Sequence, residues 1–194
     1  MRIAGGIYGS RTIEVPKSGE IRPTQERVRE ALFSMLMSDV DGARFLDLFA
    51  GSGAVGLEAL SRGCKSAAFV ERDKRHASII KKNIAALGAD VAAKSSVIVS
   101  DAYKYIATPS REPFDIVFAD PPYALGEERG YAQVLADLAK NNIVREGGIF
   151  VAEMSAPQDA EEIAGWELLK TRKYGKSALC IWRRESLEAL HSGE

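Results

Sequence analysis

The chain has 194 residues, 46% of them hydrophobic and 27% charged, and a net charge of −1. Such numbers predict one soluble globular domain with a substantial core, and they exclude a polycation, so any nucleic-acid contact must come from a local patch. No apolar run approaches the roughly 18 residues that a membrane span needs, and the start lacks a signal peptide's apolar stretch, which predicts a cytoplasmic protein with no membrane partner. Cys64 and Cys180 fit no metal-ligand spacing and the histidines are His76 and His191. No metal site is expected, and two buried free thiols suit a reducing compartment.

Residues 1–15 are punctuated by glycine and closed by Pro16, with short β-type runs flanking Gly9-Ser10, which predicts a small hairpin. A helix follows, with Thr24 as its natural cap and Glu26 in its first turn. Its apolar positions Val28, Ala31, Leu32, Met35 and Leu36 form the stripe of a packed amphipathic helix. From residue 45 onward strand and helix patterns alternate. Strands are expected over 45–49, 67–71, 97–100, 114–119 and 148–153. One helix is marked by Ala77, Ile80, Ile84 and Leu87, another by Tyr131, Val134, Leu135 and Leu138. Near-continuous apolar strands separated by helices imply a parallel sheet covered on both faces. Residues 166–174 and 178–183 flank Gly175-Lys-Ser and read as an antiparallel hairpin added to one edge. The fold expected is α/β and Rossmann-like: a mostly parallel seven-stranded sheet with helices on both faces. Residues 1–23 are its small extension, 24–184 its main domain and 185–194 a polar helical tail.

In such a sheet ligands sit at the carboxyl ends of the strands. Gly51, Gly53 and Gly56 follow the first strand and open a helix, where glycine permits a tight turn and close approach of backbone to ligand. Glu71 ends the second strand, twenty residues after Gly51, where a carboxylate can accept from ribose hydroxyls. That pattern is shared by NAD, FAD and S-adenosylmethionine proteins. Three additions favour S-adenosylmethionine. Asp47, just ahead of the glycines, can help hold the methionine ammonium. Asp101 after the third strand can accept from the adenine amine, with a backbone N–H of the Ser100-Asp101-Ala102 turn meeting the ring. Asp120-Pro121-Pro122-Tyr123 closes the fourth strand. Any one of these acids could be a cap or turn residue; four, one to each of four successive strands, are harder to explain so.

Asp120-Pro121-Pro122-Tyr123 suits methyl transfer to an amine. An exocyclic or amide nitrogen is a poor nucleophile because its lone pair is delocalised. A carboxylate and a neighbouring carbonyl accepting its two N–H bonds favour a pyramidal nitrogen, with the lone pair aimed at a sulfonium methyl. Two prolines stiffen the turn, and Tyr123 offers a face on which a base can stack, worth about 1–3 kcal/mol elsewhere.

Residues 47–53 (Asp-Leu-Phe-Ala-Gly-Ser-Gly), 70–73 (Val-Glu-Arg-Asp), 100–102 and 120–123, in this order, resemble class I S-adenosylmethionine-dependent methyltransferases of the amino-group type. Residues 2–6 (Arg-Ile-Ala-Gly-Gly), 9–11 (Gly-Ser-Arg), Pro16 and 22–33 (Arg-Pro-Thr-Gln-Glu-Arg-Val-Arg-Glu-Ala-Leu-Phe) narrow the resemblance to the RsmD family. It covers nearly all of the chain up to Arg184. It implies a monomeric enzyme that methylates the exocyclic N2 amine of one guanine in 16S ribosomal RNA, on the assembled or assembling small subunit. The catalytic residues implied are Asp120, Pro121 and Tyr123. Asp47, Ala50, Gly51, Gly53, Glu71, Arg72, Asp101 and Ala102 are implied at the cofactor, and Arg2, Arg11, Arg22, Thr24 and Pro122 on the substrate side.

The segment through Glu30 carries Arg2, Arg11, Lys17, Arg22, Arg27 and Arg29 against four glutamates, a small excess that a solvated surface would also show. At ~100° per residue Arg27 and Arg29 fall on opposite flanks of their helix and cannot grip the same phosphate. Residues 123–130 lead from the turn into the next helix, as a lid or as a plain connection. A nicotinamide oxidoreductase leaves the Asp-Pro-Pro-Tyr turn without a task, and a non-catalytic RNA-binding or ribosome-assembly module predicts that Asp120→Ala has no biochemical effect beyond stability. A DNA adenine or cytosine enzyme would need a recognition domain, and protein glutamine enzymes start the turn with Asn. Gly175-Lys176-Ser177 is no phosphate loop, since position 170 is lysine. His76, in a charged helix start, is expected on the surface.

Overall fold

The computed structural model describes residues 1–16, 26–110, 112–121, 130–155, 163–175 and 177–186. Arg22, Thr24 and its helix cap, Pro122, Tyr123, the loop over 123–129 and residues 187–194 of the tail lie outside them. The described strands form one seven-stranded sheet in the order β3-β2-β1-β4-β5-β7-β6. Length alone predicts one domain; by its contacts the chain divides into two compact units, Met1–Ala102 and Tyr103–Glu194. Strands β1 to β3 pair among themselves, as do β4 to β7, so each half of the chain winds mainly on itself. No described helix is long and apolar enough to cross a membrane.

In the first unit, helix α1 (Glu26–Met35) precedes β1 (Arg44–Leu48), α2 (Ala54–Ser61), β2 (Ser66–Glu71), α3 (Lys74–Leu87), α4 (Ala89–Ala93) and β3 (Ser95–Val99). Strands β1, β2 and β3 are parallel. β1 and β2 are almost wholly buried, as their continuous apolar runs require. β3 is not: Ser96 and Val99 are exposed, because the strand has a neighbour on one side only. The α1 stripe differs from expectation, with Arg29 and Phe33 fully buried in place of Ala31 and Met35, which are half-exposed.

Helix α2 is buried at all eight residues, the behaviour of a helix that is apolar nearly all round. Its polar members must then find partners inside. Glu58 accepts from Arg29 Nε at 3.0 Å, from two guanidinium nitrogens of Arg62 at 2.8 and 3.1 Å, and from the Ala4 N–H at 3.3 Å. Ser61 Oγ donates to the Gly5 carbonyl at 2.6 Å and accepts from the Tyr8 N–H at 2.9 Å. Residues 1–16 thus run over the second half of α2, closed by a bridge between Arg2 and Thr12 where the hairpin is predicted. Gly6, at φ +78°, lies so close to Ser61 that an added Cβ would stand 1.9 Å from its carbonyl oxygen. Only glycine fits there.

His76 is 7% exposed, contrary to the surface position expected for it. It precedes Ile80 by one turn and shares a buried stripe with Ile80, Asn83, Ile84 and Leu87, so the charged residues around it do not decide its side.

Helix α5 (Ala102–Ile106) leads into the second unit, which holds β4 (Phe114–Ala119), α6 (Tyr131–Lys140), β5 (Val144–Ser155), β6 (Trp166–Tyr174) and β7 (Ser177–Arg184). β4 and β5 are parallel, and β7 runs antiparallel to both β5 and β6. β5 begins four residues earlier than its apolar run suggests, because Val144 pairs with Phe114 across an irregularity before Ile149 resumes the ladder at Ile116. Phe150 lies between Trp166 and Trp182 at ring separations of 6.4 and 5.7 Å, and Trp182 stacks on Tyr131 of α6. Both cysteines are buried free thiols, and burial pushes the Cys180 thiol up from its ordinary pKa.

Candidate active site

The first unit builds a loop from the end of β1 to the start of α2. Phe49, Gly51 and Gly53 all take left-handed backbone, at φ 62°, 56° and 79°. For Phe49 this conformation is strained. Hydrogen bonds from Ala50 N–H to the Val70 carbonyl at 3.0 Å and from Gly53 N–H to the Ala50 carbonyl at 2.7 Å hold the turn. Two buried carboxylates tie it down from either side. Asp47, 2% exposed within β1, accepts from the Gly56 N–H at 2.9 Å. Glu71, 8% exposed at the end of β2, accepts from the Gly51 N–H at 2.9 Å through Oε2 and from the Asp73 N–H at 2.8 Å through Oε1. A carboxylate has about four acceptor positions, so these bonds orient Glu71 and leave it capacity for hydroxyl donors. Gly56 has a different reason to be glycine: a Cβ there would stand 2.4 Å from the buried Phe69 ring.

The remaining members expected at a nucleoside follow the same strand ends. Ser100 N–H donates to the Glu71 carbonyl at 3.2 Å, which keeps the chain beyond β3 beside the end of β2. Asp101 comes next, half-exposed, and buried Ala102 starts α5. Arg72 is exposed between Glu71 and Asp73. Asp47, Ala50, Gly51, Gly53, Glu71 and Arg72 thus belong to one loop system, with Asp101 and Ala102 one strand away. This set fits a nucleoside carried on a charged amino-acid tail, offering buried carboxylates for hydroxyl or ammonium donors and a glycine turn for close approach.

In the second unit, Asp120 and Pro121 stand half-exposed at the carboxyl end of β4. Tyr131, at the first turn of α6, donates its hydroxyl to the Glu153 carbonyl at 3.4 Å. Its phenol is held well above the ordinary tyrosine pKa, first by burial and then by the negative charge of Asp120. It stays a neutral O–H donor at working pH. Arg2 and Arg11 of the N-terminal segment are exposed, but each has an internal bond, Arg2 Nε to Glu26 at 3.1 Å and an Arg11 guanidinium nitrogen to the Ala86 carbonyl at 2.9 Å.

The family model described as Conserved hypothetical protein 95 matches residues 1–183. The chain belongs to this family, the RsmD family. Ribosomal RNA small subunit methyltransferase D of Escherichia coli (strain K12) is 35% identical over 187 residues, 96% of this chain and 91% of that one. The solved structure of the Escherichia coli protein yhhF is similar at a TM-score of 0.83 and 34% identity, covering 95% of this chain and 98% of that chain. The fold is shared more widely. An RNA methyltransferase from Salinibacter ruber, in complex with S-adenosyl-L-homocysteine, has a TM-score of 0.63 at 16% identity over 85% of this chain and 95% of that one.

Two residues of this RsmD-family chain stand out that its motifs do not mark. Tyr131 reads in sequence as one more apolar stripe position. Asn83, 2% exposed, donates to the Ser52 carbonyl of the glycine loop at 3.0 Å and to the Glu14 carbonyl at 2.8 Å, and its own carbonyl accepts from Glu14 N–H at 2.7 Å. One buried amide thereby joins the N-terminal segment to the loop. The signal was an asparagine on the stripe of Ile80, Ile84 and Leu87, a place where a polar side chain needs internal partners.

Proposed function

We propose that this chain transfers a methyl group from S-adenosyl-L-methionine to the exocyclic N2 amine of a guanine in 16S ribosomal RNA, on the assembled or assembling small subunit. Methyltransferase chemistry on small-subunit ribosomal RNA is the function named for its 35%-identical relative. The residue-level reading is supported within each unit: in the first by a glycine loop clamped by Asp47 and Glu71, in the second by a carboxylate followed by proline at the end of β4.

When bound, the donor supplies a methyl group on a positively charged sulfur, which keeps the electron pair of the breaking C–S bond. Glu71 holds the ribose hydroxyls and the Asp47–Gly53 loop receives the amino-acid tail, with Asp101 and Ala102 at the base. Asp120 accepts one N–H of the guanine amine and the turn's backbone carbonyl the other. This frees the nitrogen lone pair to form the N–C bond, and the surplus proton leaves from the methylated amine to water. The charged leaving group needs no further activation, so rate comes from positioning and from the field of Asp120. Tyr123 and Pro122 would face the base, and Arg2, Arg11, Arg22 and Thr24 the surrounding RNA.

The deciding experiment is transfer of labelled methyl to small subunits, naked ribosomal RNA, DNA and protein, followed by nucleoside analysis. Label in N2-methylguanine from the small-subunit arms is expected; label in adenine, or only in protein, would refute the assignment. The donor half has its own test. Glu71→Ala removes the ribose acceptor and the partner of two loop N–H groups, so S-adenosylhomocysteine should bind about 10- to 100-fold more weakly by calorimetry, the equivalent of one charged hydrogen bond. A change below threefold would move the ribose elsewhere.

A further inference from the structure

The overall charge of −1 hides a concentration of positive charge on the outermost strand of the second unit. β6 and β7 carry Lys170, Arg172, Lys173, Arg183 and Arg184 against one carboxylate, Glu167. Lys170, Arg172 and Lys173 are exposed, and among the described residues no ion pair involves them. β6 has a single neighbour, β7, and so forms the free edge of the sheet.

The register fixes where this charge stands. Ala119 of β4 pairs with Ala152, Ala152 with Cys180 and Cys180 with Thr171, so Thr171 is level with the residue before Asp120. Leu179 likewise links Glu153 to Arg172. Arg172 is therefore level with Asp120, three strand spacings away, on the order of 14 Å. β6 runs parallel to β4, because β7 is antiparallel to both β5 and β6, so Lys173 is one residue nearer the end of the sheet at which Asp120 stands; Lys170 and Arg172, two residues apart, share one face of the sheet and Lys173 lies on the other.

We propose that the exposed edge strand β6, through Lys170 and Arg172 on one face, binds phosphates of the RNA strand that carries the target base. The inference rests on the proposed RNA substrate. At ~14 Å, an RNA strand whose base enters at Asp120 reaches β6 within a few nucleotides. Cationic edge strands also occur as protection against edge-to-edge pairing. That role requires charge but no position relative to Asp120.

The test is the double variant K170Q/R172Q, compared with wild type in filter binding and methylation of small subunits and their naked RNA at several salt concentrations. Affinity for the RNA substrate should fall by roughly 10-fold or more, and the slope of log K against log salt should drop by about 2, one per lost phosphate contact. Fluorescence of Trp166 and Trp182, which lie in the same unit as β6, serves as the folding control. Unchanged RNA affinity and slope, with or without new aggregation, would overturn the inference and leave β6 as a protected edge. Failure of the wild-type protein itself to bind or methylate the RNA would instead remove the proposed function, and this inference with it.

Discussion

Asp120→Ala should lower the rate of methyl transfer at saturating donor and RNA by about 10²- to 10³-fold, the cost seen when one pre-placed electrostatic contact to a transition state is removed. Asp120 stands at the end of β4 in the second unit, whereas the residues that orient the donor loop, Asp47 and Glu71, are in the first. The variant should therefore bind S-adenosylhomocysteine with wild-type affinity. A side effect is expected at Tyr131, whose phenol loses the second-largest cause of its raised pKa and keeps the first, burial. Asp120→Asn retains one carbonyl acceptor and should recover part of the rate. Single-turnover methylation and calorimetry, done on one preparation, separate the outcomes. If Asp120→Ala methylates within threefold of wild type, the carboxylate is a turn residue only and the amine is held by other groups.

Much of this arrangement was legible in the sequence because strand-end chemistry is local. The run from Asp47 to Gly53, Glu71 twenty residues on and the Asp120 turn each declare themselves within a few residues, and the alternation of apolar runs sets their order. β4 and β6 keep the bounds read from pattern alone, 114–119 and 166–174. What the sequence concealed was polar chemistry inside helices. Arg29, His76 and Asn83 sit in segments with charged neighbours and Glu58 is the single charge of an apolar helix, yet all four are buried. Their burial depends on which face of α1, α2 or α3 meets another element, and a helix with polar residues on its apolar stripe gives an ambiguous period. The tight fit of the N-terminal segment on α2 was equally hidden, since Gly5 and Gly6 read as turn residues while their neighbours at Arg62 and Ser61 lie more than fifty positions away.

The largest effect on stability is expected at one of those concealed residues. Glu58 and Arg29 have no exposed side-chain surface, and Nε of the one lies 3.0 Å from Oε2 of the other. Arg29 also donates to the Arg2 carbonyl at 2.7 Å, so its guanidinium fastens the start of the chain as well as α2. Glu58→Ala leaves that cation buried without its carboxylate and strips partners from Arg62 and the Ala4 N–H. Breaking a buried pair from one side costs about 3–5 kcal/mol, which at this chain length is a fall in Tm of the order of 10 °C. Replacing both charges, as Arg29→Met with Glu58→Leu, removes the stranded cation and should be less damaging than Glu58→Ala alone, even though Ala4 N–H still lacks its acceptor. The choice of probe matters. Trp166 and Trp182, the only tryptophans, both lie in the second unit, so tryptophan fluorescence reports the wrong half of the chain. Helix α2 and the segment that covers it must be followed by far-ultraviolet circular dichroism or amide exchange. Loss of protection should appear first across residues 1–16 and α2, and S-adenosylhomocysteine affinity should fall with it, because α2 begins at the glycine loop. A Glu58→Ala protein within 1 kcal/mol of wild type, or a double variant as unstable as the sum of the two singles, would show that water reaches Arg29 in solution and that the pair does not hold the N-terminal segment in place.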